Sequence, residues 1–271
     1  MAHIPNGATE GLILSQTRPN YVPFANSTMF SARATTPELM DDPSIDELEL
    51  HQTLRQLEFL NRVSGAYRPT LDALTELATH RDAGDAPLRI VDIGSGRGDL
   101  LRRVHRWAEG ESIAVECIGV DLNPVAASAA ASATSADAPI RFVTADVLQY
   151  SPDHAVDIVI NSLFAHHLSD AELTRAMAWM CEHSRIGWHI NDLHRHRVSY
   201  WLLRILLPVL RFNRLIRHDA PVSVLRGFSR DDWGPLLAGA GVSERDVRVR
   251  RTFPFRWSVL WIRPEGASDE R

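Results

Sequence analysis

A chain of 271 residues with 45% hydrophobic side chains is long enough to bury one large α/β core. The net charge of -5 disfavours a general electrostatic grip on nucleic acid, and all 29 cationic side chains are arginine, which excludes Schiff-base lysines and a Walker-type phosphate lysine. Cys117 and Cys181 read as buried free thiols suited to a cytoplasmic setting, and neither a signal peptide nor a run of about twenty apolar residues is expected.

Residues 1–36 mix Pro, Gly, Asn, Ser and Thr without a steady period, and are expected to form an irregular or disordered arm that carries no chemistry. Residues 37–82 are expected to form a helical cover. Within it, Asp46–Ala66 carries Leu50, Leu54, Leu57, Leu60 and Val63 as an amphipathic stripe, and a second helix is predicted over Pro69–Thr79. Asn61, Arg62 and Gly65 could touch a ligand, but capping of the helix end is the simpler role.

From residue 83 strands and helices alternate. Ile90–Leu100, I-V-D-I-G-S-G-R-G-D-L, reads as a buried strand entering a glycine loop, and Asp99–Trp107 as the helix that follows. Further strands are predicted at Ala114–Val120, Ile140–Val143, Val156–Leu163 and Ile186–Ile190, with helices over Val125–Ala133 and Ser169–Cys181, the latter capped by Ser169. This rhythm indicates a doubly wound, mostly parallel, Rossmann-like sheet with helices on both faces. A long apolar helix pattern over Val198–Leu215, broken mainly by Pro208 and by arginines and lying inside an insertion at 194–228, interrupts the alternation after the fifth strand. Arg197, Arg204 and Arg211 fall seven apart along it. Such a stripe could lie on a membrane surface or roof a hydrophobic substrate, and a docked helix with its arginines in water is the simpler reading. A last helix over Asp231–Ala240, capped by Ser229 and ended by Gly241, and closing strands at Asp246–Phe253 and Arg256–Ile262 complete a seven-stranded sheet.

The glycines read Gly94-x-Gly96-x-Gly98 instead of the dinucleotide spacing G-x-G-x-x-G, and Asp92 and Asp99 flank them. Two carboxylates would repel a pyrophosphate and tolerate a cationic ligand. Asp121 ends the second strand, where it can accept from a ribose diol with Leu122 beside an adenine face. Asp146 ends the third, where it can accept from an adenine amino group while the Val147 amide donates to the ring. One such Asp is ordinary turn chemistry, whereas three acidic strand ends in this order fit nucleoside binding.

With these residues in place, the stretch from Leu88 to Ile262 resembles a class I S-adenosylmethionine-dependent methyltransferase. The resemblance implies that Asp92, Gly94, Ser95 and Gly96 hold the methionine part of the donor, Asp121 the ribose, and Asp146 with Val147 the adenine, with Asn161 facing the sulfonium. The run N-S-L-F-A-H-H-L from Asn161 to Leu168 is similar to small-molecule methyltransferases of the quinone-biosynthesis type. Met40-Asp41-Asp42-Pro43, Asn61-Arg62, Asn191-Asp192-Leu193 and Arg217-His218-Asp219 resemble bacterial methyltransferases encoded beside polyketide synthases. Ser162 and Leu163 stand where enzymes that methylate base amino groups carry prolines, which disfavours a nucleic-acid substrate.

A phenol or alcohol acceptor needs a base. His166 and His167, just past the fourth strand, are the first candidates; His194 and His218 are rivals, and Asp192 could orient either. His189, Asp192, His194 and His196 crowd together in sequence, but surface histidines explain them more simply and no metal is expected. The expectation is therefore a cytoplasmic enzyme of secondary metabolism that O-methylates a small, hydrophobic or aromatic acceptor of phenolic or polyketide type. Its partners would include no nucleic acid and no transmembrane span; weak membrane-surface contact through 198–217 and a homodimer are compatible with the sequence. The alternatives are C- or N-methylation of a small molecule, a non-catalytic binding or scaffolding module, and a nicotinamide oxidoreductase.

Overall fold

A computed structural model of the chain describes residues 27–81 and 86–264. One seven-stranded sheet organises it, in the order β3-β2-β1-β4-β5-β7-β6. The strands are β1 (Leu88–Ile93), β2 (Val115–Asp121), β3 (Ile140–Thr144), β4 (Val156–Ser162), β5 (Ser184–Leu193), β6 (Val247–Thr252) and β7 (Arg256–Ile262). All neighbouring pairs are parallel except those of β7, which runs antiparallel to both β5 and β6. The chain order reverses at β1, which lies between β2 and β4, so the crevice beyond the carboxyl ends of these three strands is the natural ligand site.

Strand alternation sorts the side chains into two cores. On one face Ile90, Ile158 and Ile160 pack with Leu74 and Leu77 of α2 (Arg68–Ala78) and Leu101 and Val104 of α3 (Asp99–Glu111). On the other, Val91, Ile93, Val159 and Ile190 pack with Leu173 and Met177 of α5 (Asp170–His183) and Trp233 of α8 (Trp233–Gly239). The helix α1 (Glu47–Val63), capped by Asp46, lays Leu50 and Leu54 against Ala126 and Ala129 of α4 (Pro124–Ser132). Gly65 (φ +67) terminates α1, the capping role expected of it. Ser169 caps α5 in a reciprocal capping box with Glu172.

Two expectations are corrected. The long helix over Val198–Leu215 is two helices, α6 (Arg197–Val209) and α7 (Arg214–Arg226). Between them Arg211 takes a left-handed φ of 57°, and Asn213 caps α7 by accepting from the Ile216 amide. Asn213 is itself fixed on α1, through Gln56 Oε1 and Thr53 Oγ1. The second correction is the cap of α8: that helix starts at Trp233 after Asp232, and the Ser229 amide donates to the Asp232 carboxylate.

Most of the expected N-terminal arm, residues 1–26, lies outside the described residues. Its end is fixed beside the crevice, where the Ala34 amide donates to Leu225 O and the Arg33 guanidinium donates to Leu168 O while covering the Phe228 ring. No helix among the described residues is long and apolar enough to cross a membrane.

Candidate active site

Gly94, Gly96 and Gly98 all have positive φ between β1 and α3. The need for glycine is strictest at Gly94, where a Cβ would overlap the Phe164 ring; at Gly96 the Cβ position opens on empty space. The Gly96 amide donates to Asp121 Oδ2 at 2.7 Å and the Asn123 amide to Asp121 Oδ1 at 2.9 Å, so the carboxylate ending β2 ties the glycine loop to the next turn. Asp92 Oδ1 and Ser95 Oγ are buried without a protein partner. Burial, with the charges of Asp99 and Asp121 added, pushes Asp92 well above the usual carboxylate range. Asp99 accepts from the Tyr67 hydroxyl at 2.7 Å.

These groups open on one cavity of about 1160 Å³. Its first half is walled by the loops after β1, β2 and β3: Asp92, Gly94, Ser95, Gly96, Asp121, Leu122, Asp146 and Val147 all line it. Its second half is apolar and comes from other parts of the chain, Leu57 and Leu60 of α1, Leu202 and Leu203 of α6, and Ile216 of α7.

The two halves meet at a polar cluster that is buried at Glu38, His166 and Asp192 and reaches the surface at Asp41. His166 and His167 lie on a single 3-10 turn, Ala165–His167, directly after β4. His166 Nδ1 lies 2.7 Å from Asp192 Oδ1 on β5, and His167 Nδ1 lies 3.2 Å from Asp41 Oδ2. Both Nε2 atoms face Glu38, at 3.6 Å for His166 and 3.7 Å for His167. Glu38 is 4% exposed and accepts from the Ser223 hydroxyl. Arg226 of α7 holds the turn from behind, donating to the carbonyls of His166 and His167. Burial works against a charged His167, but the Asp41 hydrogen bond and the charges of Glu38 and Asp41 outweigh it, so its pKa rises above the ordinary 6.5. Burial likewise opposes the Asp192 carboxylate, and His166 overcomes this to hold it below its usual range.

Other sequence candidates lie elsewhere. Asn161 is fully buried on the Val159 side of the sheet, its amide atoms unpaired, and does not line the cavity; the next residue, Ser162, does. Asp192 stands behind His166, outside the wall. His218 is 44% exposed at its side chain, bonds Asp219, and is not a lining residue. His194 packs on Trp257 and His196, and burial pulls it down to about 4. His189 is fully buried, contrary to the expected surface position, and bonds Ser258 on the opposite side of β5 from Asp192, so of the sequence cluster only His194 and His196 adjoin. Glu38 was not a sequence candidate: it sits in an irregular segment, and only the neighbouring Met40-Asp41-Asp42-Pro43 pattern signalled that segment. Asp219 holds the segment in place by accepting from the Leu39 and Met40 amides.

Residues 90–187 match a family model described as a methyltransferase domain. No curated protein matches the sequence. Among solved structures the chain is similar to a SAM dependent methyltransferase from Aquifex aeolicus, 14% identical over 81% of this chain and 99% of that one, with a TM-score of 0.54. It is similar to human N-acetylserotonin methyltransferase in complex with SAM, 16% identical over 80% of this chain and 56% of that one, TM-score 0.54. The citrinin polyketide synthase CMeT domain is 15% identical over 77% of this chain and 51% of that one, TM-score 0.51. These likenesses carry the fold, and the family match covers the strands that build the glycine corner. Residues 90–187 thus match a methyltransferase domain, on a seven-stranded fold shared with solved methyltransferases.

Proposed function

We propose that the protein transfers the methyl group of S-adenosylmethionine to a hydroxyl of a small, apolar acceptor of phenolic or polyketide type. The observation that carries this reading is one cavity that joins the glycine corner to a carboxylate-braced pair of imidazoles under apolar walls. When bound, the donor supplies an electrophilic methyl group on a positively charged sulfur.

The corner fits that donor. Asp92 Oδ1 and Ser95 Oγ, buried and unpartnered, suit the polar methionine end, and the empty space at Gly96 lets backbone approach closely. Asp121 keeps lone pairs beyond its two backbone bonds for a ribose diol, and Asp146 with Val147 borders the adenine. Because burial and its acidic neighbours raise the pKa of Asp92, a cationic ligand beside it lowers that pKa again. Donor binding is therefore expected to release a proton and to tighten as pH rises toward the raised pKa of Asp92. Calorimetry in buffers of differing ionisation enthalpy measures this; binding that takes up no part in proton exchange would remove Asp92 from the contact.

At the other end, Asp41 holds the Nδ1–H of His167 and leaves the Nε2 lone pair to take the acceptor's hydroxyl proton. Glu38, 3.7 Å beyond, steadies the imidazolium that results. His166, fixed by Asp192, braces its neighbour, the two rings lying 4.4 Å apart. The leucines of α1 and α6 align an apolar acceptor and keep water out.

The test is incubation of the purified protein and S-adenosylmethionine with a panel of phenolic and polyketide acceptors. The expected product gains one methyl group and loses one titratable hydroxyl. Methylation at carbon or nitrogen, or of a peptide or RNA in place of these acceptors, would sink the reading.

A further inference from the structure

The outward surface of α6 is apolar where a helix on a soluble protein is normally polar. Val198, Leu202, Ile205 and Val209 recur at helical spacing on that side with Trp201 and Leu206 at its borders, and all are exposed; Ile205 is 65% and Val209 71% exposed. Contiguous apolar surface of this kind marks an interaction site. It does not stop at α6. Phe59 and Val63 of α1 are exposed, and Phe253, in the turn between β6 and β7, is 92% exposed. The Phe59 ring meets Phe212 just after α6, and Phe255 of the turn stacks on His196 just before it. The same three elements supply the acceptor half of the cavity, through Leu57 and Leu60, Leu202 and Leu203, and Pro254 and Phe255.

Charge identifies the partner. Leu193–His218 contains six arginines and no acidic residue, in a chain of net charge -5. Arg195 and Arg214 are paired with Asp232 and Glu49. Arg197, Arg204, Arg211 and Arg217 are exposed, and no carboxylate partners them among the described residues. A second copy of α6 would bring another all-basic segment with nothing acidic to meet it, whereas a layer of phosphates with acyl chains beneath it matches both features.

We propose that this face docks on an anionic lipid surface, with the apolar side of α6, Phe253 and the α1 pair among the acyl chains and the four arginines that lack a carboxylate partner at the headgroup phosphates. The acceptor half of the cavity then lies directly behind the lipid contact. Entry of an apolar acceptor from the bilayer rests on the function proposed above; the docking does not.

The experiment is co-sedimentation of the full chain with vesicles of phosphatidylcholine alone or mixed equally with phosphatidylglycerol. The chain is expected to pellet with the mixed vesicles, less so as salt is raised, and weakly with the neutral ones. The double variant Ile205→Glu, Val209→Glu is expected to lose about tenfold or more in partitioning while keeping its melting temperature and its affinity for S-adenosylhomocysteine, since neither residue lines the cavity. The proposal is overturned if the parent stays in the supernatant or the double variant pellets as well as the parent. It is also overturned if the parent is a dimer that the two substitutions dissolve without any vesicle binding. No turnover is measured, so failure to methylate a phenol leaves this result readable on its own.

Discussion

Asp121→Ala is expected to weaken binding of S-adenosylhomocysteine by about 100-fold or more. Two losses add. The carboxylate accepts from the Gly96 and Asn123 amides, so its removal unties the glycine loop from the turn after β2. It also removes the acceptor proposed for the ribose diol. Hydrogen bonds to a charged group are each worth about 1.5–3 kcal/mol, and two of them at the lower end already amount to about 3 kcal/mol. Asp121→Asn, which keeps the shape and one acceptor oxygen, should fall between the two. Calorimetry with the folded variants gives the answer; affinity equal to that of the parent would remove Asp121 from the donor site.

The second large effect belongs to His167. His167→Ala is expected to lower kcat by about 10²–10⁴, the usual contribution of a positioned base, with S-adenosylhomocysteine affinity retained. The pH profile separates a proton acceptor from a structural ring. His167 must be unprotonated to act, and its neighbours raise its pKa above 6.5, so activity should climb with pH through a value above that of an ordinary histidine. Asp41 supplies the hydrogen bond and part of the charge responsible. Asp41→Asn should therefore move the acid limb to lower pH. An acid limb that stays in place in that variant would show that another group limits the rate.

The strands and the glycine corner were legible because their signals are local. β-branched runs covered on both faces, glycines that need positive φ and acids at strand ends are all readable in a window of ten residues. The break between α6 and α7 was not, because the residues that fix it are Gln56 and Thr53, more than 150 positions away from Asn213. For Asn161 the resemblance implies a place facing the sulfonium, while strand parity puts it on the face of Val159 and Ser162 on the face of Ile160. Glu38 gave no periodic signal at all. It becomes a buried partner of two imidazoles only after Asp219, on a helix far along the chain, has captured the amides of Leu39 and Met40.

The origin of the cavity's two halves bears on how such a protein diversifies. The wall proposed for the donor is drawn from the loops of β1, β2 and β3, inside the stretch that the family model matches, while the apolar wall comes from α1, α6 and α7, all outside it. On the proposed function, substitutions among the lining residues of α6 and α7 change which compound is accepted without touching the residues assigned to the donor. The exchange is confined to the lining positions of α6 and to Ile216, because Asp219, Ser223 and Arg226 of α7 hold Glu38 and the His166–His167 turn and have to stay.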